Sequence, residues 1–330
     1  NPRTDEPIHR ALQRSRDAQL RWAAEPLNQR VRLVRSIRHT LVDHMDELTR
    51  ITTDQLAVRL SDEQTLSAEI LPLLSACRMI EKRGNALLRP RRLSSIFQPM
   101  WLTGIRTVEH RIPHGLVFIL APFNYPLLLA GTQILQALFA GNAAWVKPSP
   151  KAVEPIRMLI DLMHQAGVDP DLLRCTDTDV QTAEQVIDQG VDIVVLTGSA
   201  NTGRAVLERL SHTLTPAIME LSGNDAVILL IHADLDQASR AITFGLTINS
   251  GATCIGPRRV ICHATQIPNL VQRLTEKLES PPPMNVDPDA LKSTQAAVEQ
   301  SIAMGAKLEF GGPTDHGTFR PWIVTGVTPE

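Results

Sequence analysis

The chain has 330 residues, 43% of them apolar and 21% charged, with a formal net charge of -2. That length fits about two domains with ample material for a core, and the near balance of charge gives no electrostatic case for nucleic acid or an anionic membrane. Its 4 cysteines are too scattered for a disulfide scaffold, and neither a Cys-x-x-Cys pair nor a His-Glu-x-x-His run points to zinc. No apolar run approaches the roughly 18 residues of a membrane span. The expectation is a globular chain of the reducing cytoplasm that meets small molecules, without metal. Because residue 1 is Asn rather than Met, a removed leader or a trimmed start stays open.

The first ninety or so residues read as helices. From Leu27, the positions Val31, Val34, Leu41, Met45 and Leu48 recur at helical spacing and predict one amphipathic helix. Ser61 and Gln64 have the spacing of a capping box; Leu66, Ile70, Leu73, Cys77 and Ile80 continue as a second stripe that Pro72 is expected to kink. Arg89-Pro90-Arg91-Arg92 reads as a solvated loop, since no aromatic residues interleave the charges.

After Met100 the pattern changes. Ile105 to Ile112 mixes apolar and charged residues, predicting an exposed or interface strand, whereas Leu116 to Leu120 is wholly apolar, as in a strand buried on both faces of a parallel sheet. Pro122-Phe123-Asn124-Tyr125-Pro126 ends that strand, and Leu127 to Phe139 predicts a buried helix. Ala143 to Val146 is a second strand, Lys147-Pro148-Ser149-Pro150 a turn, and Val153 to Gln165 a helix stopped by Gly167. Asp192 to Leu196 is a third strand, followed by Thr197-Gly198-Ser199-Ala200-Asn201-Thr202-Gly203 and a helix from Arg204. Strands alternating with helices imply right-handed crossovers and a mostly parallel sheet. The glycine turn is not the G-x-G-x-x-G fingerprint, yet it sets small residues and backbone N–H groups at a helix N-terminus, where a pyrophosphate can sit.

Met219-Glu220-Leu221-Ser222-Gly223 puts a carboxylate at the end of a short strand, Ala226 to Ile231 predicts a buried strand, and Leu235 to Ile248 a helix. The turn Asn249-Ser250-Gly251-Ala252-Thr253-Cys254 follows, with Arg258 and Arg259 just beyond. A thiol attacks as thiolate and needs cations, amide dipoles or a base nearby. Each residue alone has a plainer reading. Cys254 reads as a small buried hydrophobe, Asn124 as a turn residue, and Glu220 as a solvated or paired carboxylate. Their common placement, with Lys147 and Gly198, at strand ends or adjoining turns raises the functional reading, because open α/β sheets bind ligands there.

In order and wording these motifs resemble the aldehyde dehydrogenase superfamily. Pro122-Phe123-Asn124-Tyr125-Pro126 resembles the family's Pro-Trp-Asn-Phe-Pro, and Gly141-Asn142 through Lys147-Pro148-Ser149 its Gly-Asn and Lys-Pro-Ser. Thr197-Gly198-Ser199 with Gly203 resembles its nucleotide turn, Glu220-Leu221 its Leu-Glu-Leu-Gly-Gly, and Gly251 with Cys254 its Gly-Gln-x-Cys. Ala252 stands where the family usually has Gln, and Asn224 where it commonly has Lys. The resemblance implies an α/β fold with a Rossmann-type parallel-sheet cofactor domain over residues 1–222, including the N-terminal helices and an interface arm near 100–113, and a second α/β catalytic domain over 223–330. It implies NAD or NADP as cofactor, no metal, a small-molecule aldehyde as substrate and a homo-oligomer.

By the same resemblance Cys254 attacks the aldehyde carbonyl, Asn124 and the Cys254 backbone N–H hold the oxyanion, and Glu220, in apolar surroundings, activates water against the thioester. Lys147 reaches the adenosine ribose, Ser199 and the 198–203 turn take the pyrophosphate, and Pro122 and Phe123 line the nicotinamide side. Ser149, Thr197, Gly198, Gly203 and Leu221 complete the expected cofactor contacts. Leu128, Leu129 and Thr132, with Ile248 and Ile255, suggest an apolar entrance for an aldehyde without a carboxylate. Two alternatives stand beside this reading: an acyl-transferring reductase, against which Glu220 argues, and a silent homologue that binds nucleotide or assembles. Pro321 to Glu330 resembles the segment just before the family's Glu-Ile-Phe-Gly-Pro-Val motif. The expectation is therefore a catalytic domain incomplete as given, with the arm left as an unpaired edge and the 330-residue chain poor in turnover.

Overall fold

The computed structural model describes residues 6–56, 60–94, 99–102, 104–280, 284–314 and 318–327. The chain forms two compact units, one of Asn1–Gln55 with Thr65–Leu221, the other of Leu56–Gln64 with Ser222–Glu330. No described helix is long and apolar enough to cross a membrane.

The first unit is built on five parallel strands, β3 (Leu116–Leu120), β4 (Ala143–Lys147), β5 (Leu173–Cys175), β6 (Ile193–Gly198) and β7 (Ala217–Leu221), in the order β5-β4-β3-β6-β7. Every residue of β3 is buried, which is why its run is apolar without alternation. Each such side chain taken fully out of water contributes about 1.5–3 kcal/mol. The connecting helices are α6 (Leu128–Phe139), α7 (Val153–Gln165), α8 (Val180–Asp188) and α9 (Ala200–Ser211). A further layer of helices precedes the sheet: α1 (Ile8–Ala24), α2 (Leu27–Asp43), α3 (Met45–Gln55) and α5 (Leu71–Leu88), while the short α4 (Asp62–Thr65) belongs to the second unit up to Gln64. Polar side chains fasten α1 to the sheet. Trp22 Nε1 donates to the Leu138 carbonyl at 2.7 Å, Gln19 Nε2 to that of Gly141 at 2.8 Å, and Trp145 Nε1 to Ser15 Oγ at 2.8 Å.

Several expectations need correction. The stripe from Leu27 to Leu48 is two helices, broken at His44, whose Nδ1 lies 2.9 Å from the Thr40 carbonyl and so competes with the helical ladder. The capping box is present, with Ser61 N donating to Gln64 Oε1 at 2.9 Å and Gln64 N to Ser61 Oγ at 3.2 Å. The irregularity in the stripe that follows is a π-helical turn, Leu66–Ile70, which runs without a break into α5 just before Pro72. Of Ile105 to Ile112 only β2 (Val108–Glu109) is strand. It pairs antiparallel with β1 (Arg91–Arg92), so half of the basic segment read as loop is a short, exposed strand. Helix α9 starts at Ala200 rather than Arg204, because Ser199 caps it by accepting from Thr202 N at 3.1 Å.

In the second unit β8 (Ala226–Ile228) and β9 (Arg259–Ile261) pair in parallel. Their inner residues Val227 and Val260 pack with Ile242 of α10 (Leu235–Thr247) and with Leu270 and Leu274 of α11 (Ile267–Glu279). The predicted buried strand Ala226 to Ile231 is shorter and covered on one face only, with Ile228 68% exposed. Helix α12 (Pro288–Ala303) leads into a hairpin of β10 (Lys307–Pro313) and β11 (Phe319–Thr325).

Candidate active site

The strand order makes the geometry of the first unit's edge. The chain runs β3, β4, β5 in one direction, then returns to place β6 and β7 on the other side of β3, so β3 and β6 flank a switch point. Ligands of open α/β sheets bind in the crevice outside the carboxyl ends at such a point. Parallel register aligns the residues in question along that edge: Leu120 is opposite Lys147 and Leu196, Thr197 opposite Glu220, and Gly198 opposite Leu221. Asn124 is half-buried in the bend between β3 and α6, after the buried Pro122 and the half-buried Phe123. Thus Pro122, Phe123, Asn124, Lys147, Thr197, Gly198, Ser199, Glu220 and Leu221 all come to one end of one sheet. Ser149 follows in the turn after β4, where its Oγ accepts from Lys151 N at 3.3 Å.

The individual environments differ. Lys147 is half-buried with its pKa lowered chiefly by desolvation, which Asp177 and Asp179 oppose. Lys151 Nζ lies 5.4 Å from the centre of the Phe123 ring. Gly203 answers a packing demand, since a Cβ there would stand 2.9 Å from Leu221 Cδ2, so glycine lets α9 lie against β7. At Gly198, among the described residues, a Cβ would find only an ordinary contact of 3.5 Å with Leu196 Cδ1. A bare backbone at a strand end, just before a helix of 12 residues, fits the close approach of a pyrophosphate. Glu220 departs from expectation, being exposed on the edge strand instead of enclosed by apolar side chains.

The second unit carries the thiol. Asn249, Ser250 and Gly251 have φ of 52°, 50° and 77°, three successive residues in the left-handed region, two of them not glycine. Such a backbone is held only where its surroundings fix it. Asn249 is buried, its Nδ2 donating to the Ala252 carbonyl at 3.1 Å while its own carbonyl accepts from Ala252 N at 2.9 Å. Thr253 is buried, and its carbonyl accepts from Arg258 Nη2 at 3.2 Å. Arg259 donates through Nε and Nη2 to the Asn224 carbonyl at 3.1 and 2.7 Å. Between these fixed flanks Cys254 and Ile255 are exposed. Cys77 is buried, and Cys175 and Cys262 are partly so. Burial pushes the Cys77 thiol up to about 12 and that of Cys175 to about 11. Cys254 is therefore the accessible thiol, which removes the reading of it as a core residue. Among the described residues no cluster of three or more His, Cys, Asp or Glu could hold a metal ion.

Two residues escaped the sequence reading. Gln133 Nε2 donates to Thr197 Oγ1 at 3.1 Å, tying α6 to the end of β6. Glu69, buried in the π-turn, accepts the backbone N–H groups of Leu127 and Leu128 at 3.1 and 2.7 Å. Its signal was a carboxylate in the stripe itself, three residues after Leu66 and next to Ile70.

A doubly wound parallel sheet with small residues at its switch point, followed in sequence by a unit presenting an exposed thiol on a constrained turn, places the chain among the open-sheet α/β proteins. The chain belongs to the aldehyde dehydrogenase family, which it matches over residues 2–330. It is 32% identical to a 4,4'-diapolycopene aldehyde oxidase of Methylomonas sp over 330 aligned residues, 97% of this chain and 61% of that protein. It is 33% identical to the aldehyde dehydrogenase family 3 member A2 of Rattus norvegicus over 225 residues, 66% of this chain and 46% of the relative. The chain thus spans under two thirds of the length of these relatives. Among solved structures it is similar to the NADP-dependent glyceraldehyde-3-phosphate dehydrogenase of Bacillus halodurans C-125 in complex with NADP, with a TM-score of 0.87, 22% identity, and coverage of 98% of this chain and 69% of that one. At that identity the likeness speaks for the fold.

Proposed function

We propose that this chain carries the cofactor-binding and nucleophile-bearing parts of an NAD(P)-dependent aldehyde dehydrogenase that oxidises an aldehyde to its carboxylic acid. The observation that carries the reading is the exposure of Cys254 on its constrained turn, in a chain of this family. The Cys254 thiolate attacks the carbonyl carbon, forming the C–S bond and pushing the π electrons onto oxygen. The Asn124 side-chain amide and the Cys254 backbone N–H hold that oxyanion. When bound, NAD or NADP supplies the hydride acceptor. Glu220 takes a proton from the water that displaces the acyl group from sulfur, returning Cys254 and releasing the acid.

Lys147 and Ser149 serve the adenosine ribose, and Ser199 with the 198–203 turn the pyrophosphate, with Thr197 and Leu221 beside them. Pro122 and Phe123 serve the nicotinamide side. Leu128, Leu129 and Thr132 lie on the helix after Asn124, and with Ile248 and Ile255 they favour an apolar aldehyde lacking a carboxylate. We infer self-association of the whole protein and a cytoplasmic setting, which suits 4 free cysteines.

The test is a panel of aldehydes with NAD or NADP, read by the absorbance of the reduced nicotinamide and paired with a fluorescence titration of each coenzyme. Cys254→Ser is expected to abolish oxidation while leaving coenzyme affinity nearly unchanged. Glu220→Gln is expected to give a single-turnover burst followed by stalled deacylation. Coenzyme binding absent at millimolar concentration, or oxidation that survives Cys254→Ser, contradicts the proposal.

A further inference from the structure

The helix that follows Asn124 has an unusual start. Leu127, in helical conformation, occupies the cap position of α6, and no side chain of its own neighbourhood caps it. The first turn of a helix leaves backbone N–H groups without intrahelical acceptors, and burying them unpaired is costly. Pro126 has no N–H, and Leu129 N is already bonded to the Tyr125 carbonyl at 3.1 Å. Among the amides at this end, Leu127 N and Leu128 N find their acceptor outside the helix. Both donate to the same atom, Glu69 Oε2, which is delivered from 58 residues upstream.

Glu69 is 1% exposed. At such a position an apolar side chain would serve the core, and the other oxygen, Oε1, is buried without a hydrogen-bond partner among the described residues. What the carboxyl group adds is confined to those two amides. It reaches them from a π-helical turn, the kind of local distortion that re-aims a side chain out of an α-helical stripe. One turn further on, the helices fit closely, since a Cβ on Gly131 would lie 2.8 Å from Leu73 Cδ1. Burial raises the Glu69 pKa to about 8 against the pull of the Leu128 and Leu127 amides.

We propose that Glu69 is a positioning residue for the dehydrogenase reaction: by capping α6 through the Leu127 and Leu128 amides, it fixes the bend that presents the Asn124 side chain. This deepens the proposed function and rests on Asn124 acting there as oxyanion donor. Glu69 itself touches no substrate.

The test compares Glu69→Leu and Glu69→Gln with the unsubstituted protein by hydrogen exchange over residues 121–130 and, in parallel, by steady-state kinetics. In Glu69→Leu the amides of Leu127 and Leu128 are expected to exchange about tenfold faster or more, with exchange in β4 and α7 unchanged. Its kcat should fall about tenfold while coenzyme affinity holds. Glu69→Gln keeps a carbonyl acceptor and, at neutral pH where burial leaves Glu69 protonated, the same charge; it should recover most of kcat, with exchange at the two amides close to that of the unsubstituted protein. Unchanged exchange at Leu127 and Leu128 in Glu69→Leu overturns the proposal, and where Glu69→Leu does not fold, the same reading in Glu69→Met decides it. Faster exchange there with kcat unchanged also overturns it. The exchange comparison needs no turnover and by itself decides whether Glu69 anchors the bend, whereas failure of the dehydrogenase reading shows separately, as absent coenzyme binding at millimolar concentration.

Discussion

The most direct consequence of the structure is thiol selectivity. A mild alkylating agent such as iodoacetamide reacts with thiolate, so its rate at a cysteine scales with access and with the fraction ionised. At pH 8, pKa values of about 11 for Cys175 and about 12 for Cys77 leave thiolate fractions of about one in a thousand and one in ten thousand. Burial slows both further. Cys262 is half-buried against the core of its unit and accessible only in part. The folded protein is therefore expected to take up one equivalent of reagent, at Cys254, before the other three react appreciably. Intact-mass spectrometry over a time course, followed by peptide mapping, reads this directly. Cys254→Ser should lose the fast equivalent and unfold at the same midpoint. Fast labelling that persists in Cys254→Ser, or that maps to Cys77 or Cys175 while circular dichroism stays native, would refute the reasoning.

Other outcomes follow from the same geometry. Gly131→Ala should destabilise the protein by about 1–3 kcal/mol, because the new methyl meets the fully buried Leu73 and Leu159 and that strain exceeds the gain of up to about 1 kcal/mol in helix propensity; an unchanged urea midpoint contradicts it. Burial raises the folded pKa of Glu69 to about 8 from the ordinary carboxyl value of 4.5, so between those values the folded state holds the proton that the unfolded state has released. Its contribution to stability thus falls as pH rises through that window, and Glu69→Gln should flatten this component of a stability-against-pH curve. NADP is expected to bind at least as well as NAD, since Pro150 stands three residues after Lys147, where a carboxylate would grip the ribose hydroxyls and repel a 2'-phosphate. A titration showing strong preference for NAD would contradict this and turn attention to Asp177 and Asp179, which oppose the desolvation of Lys147.

What could be read from the residues follows a physical division. β3, β4 and α7 were legible almost to the residue because their signals are local: unbroken apolar runs, a stripe of helical period, and Gly167 at φ 108° to end the helix. The break at His44 and the π-turn before α5 were not legible, since each keeps the apolar periodicity and changes only the hydrogen-bond ladder. β5 is three residues with a charged centre, Leu-Arg-Cys, and its status depends on pairing with β4. The outward face of β8 misled for the converse reason, because Ile228 belongs to an apolar run yet lies exposed. Of the candidate site, sequence placed the strand-end residues correctly along the edge of the first unit. It could not give the exposure of Glu220, nor the reach of Glu69.

That last omission has a general cause. Helix α6 is apolar through most of its length and buried on the sheet, so a polar cap supplied by its own sequence would have to displace Leu127, itself fully buried. The unsatisfied amides must then be met from elsewhere, and the nearest packed layer is the N-terminal helices. A carboxylate there is favourable only if its backbone is offset enough to aim across the interface, which the turn Leu66–Ile70 provides. The cap, the π-turn and the glycine at 131 are thus one solution to a single packing problem. On the proposed roles of Glu69 and Asn124, its by-product is a fixed bend at Asn124, where an oxyanion donor gains most from being unable to move.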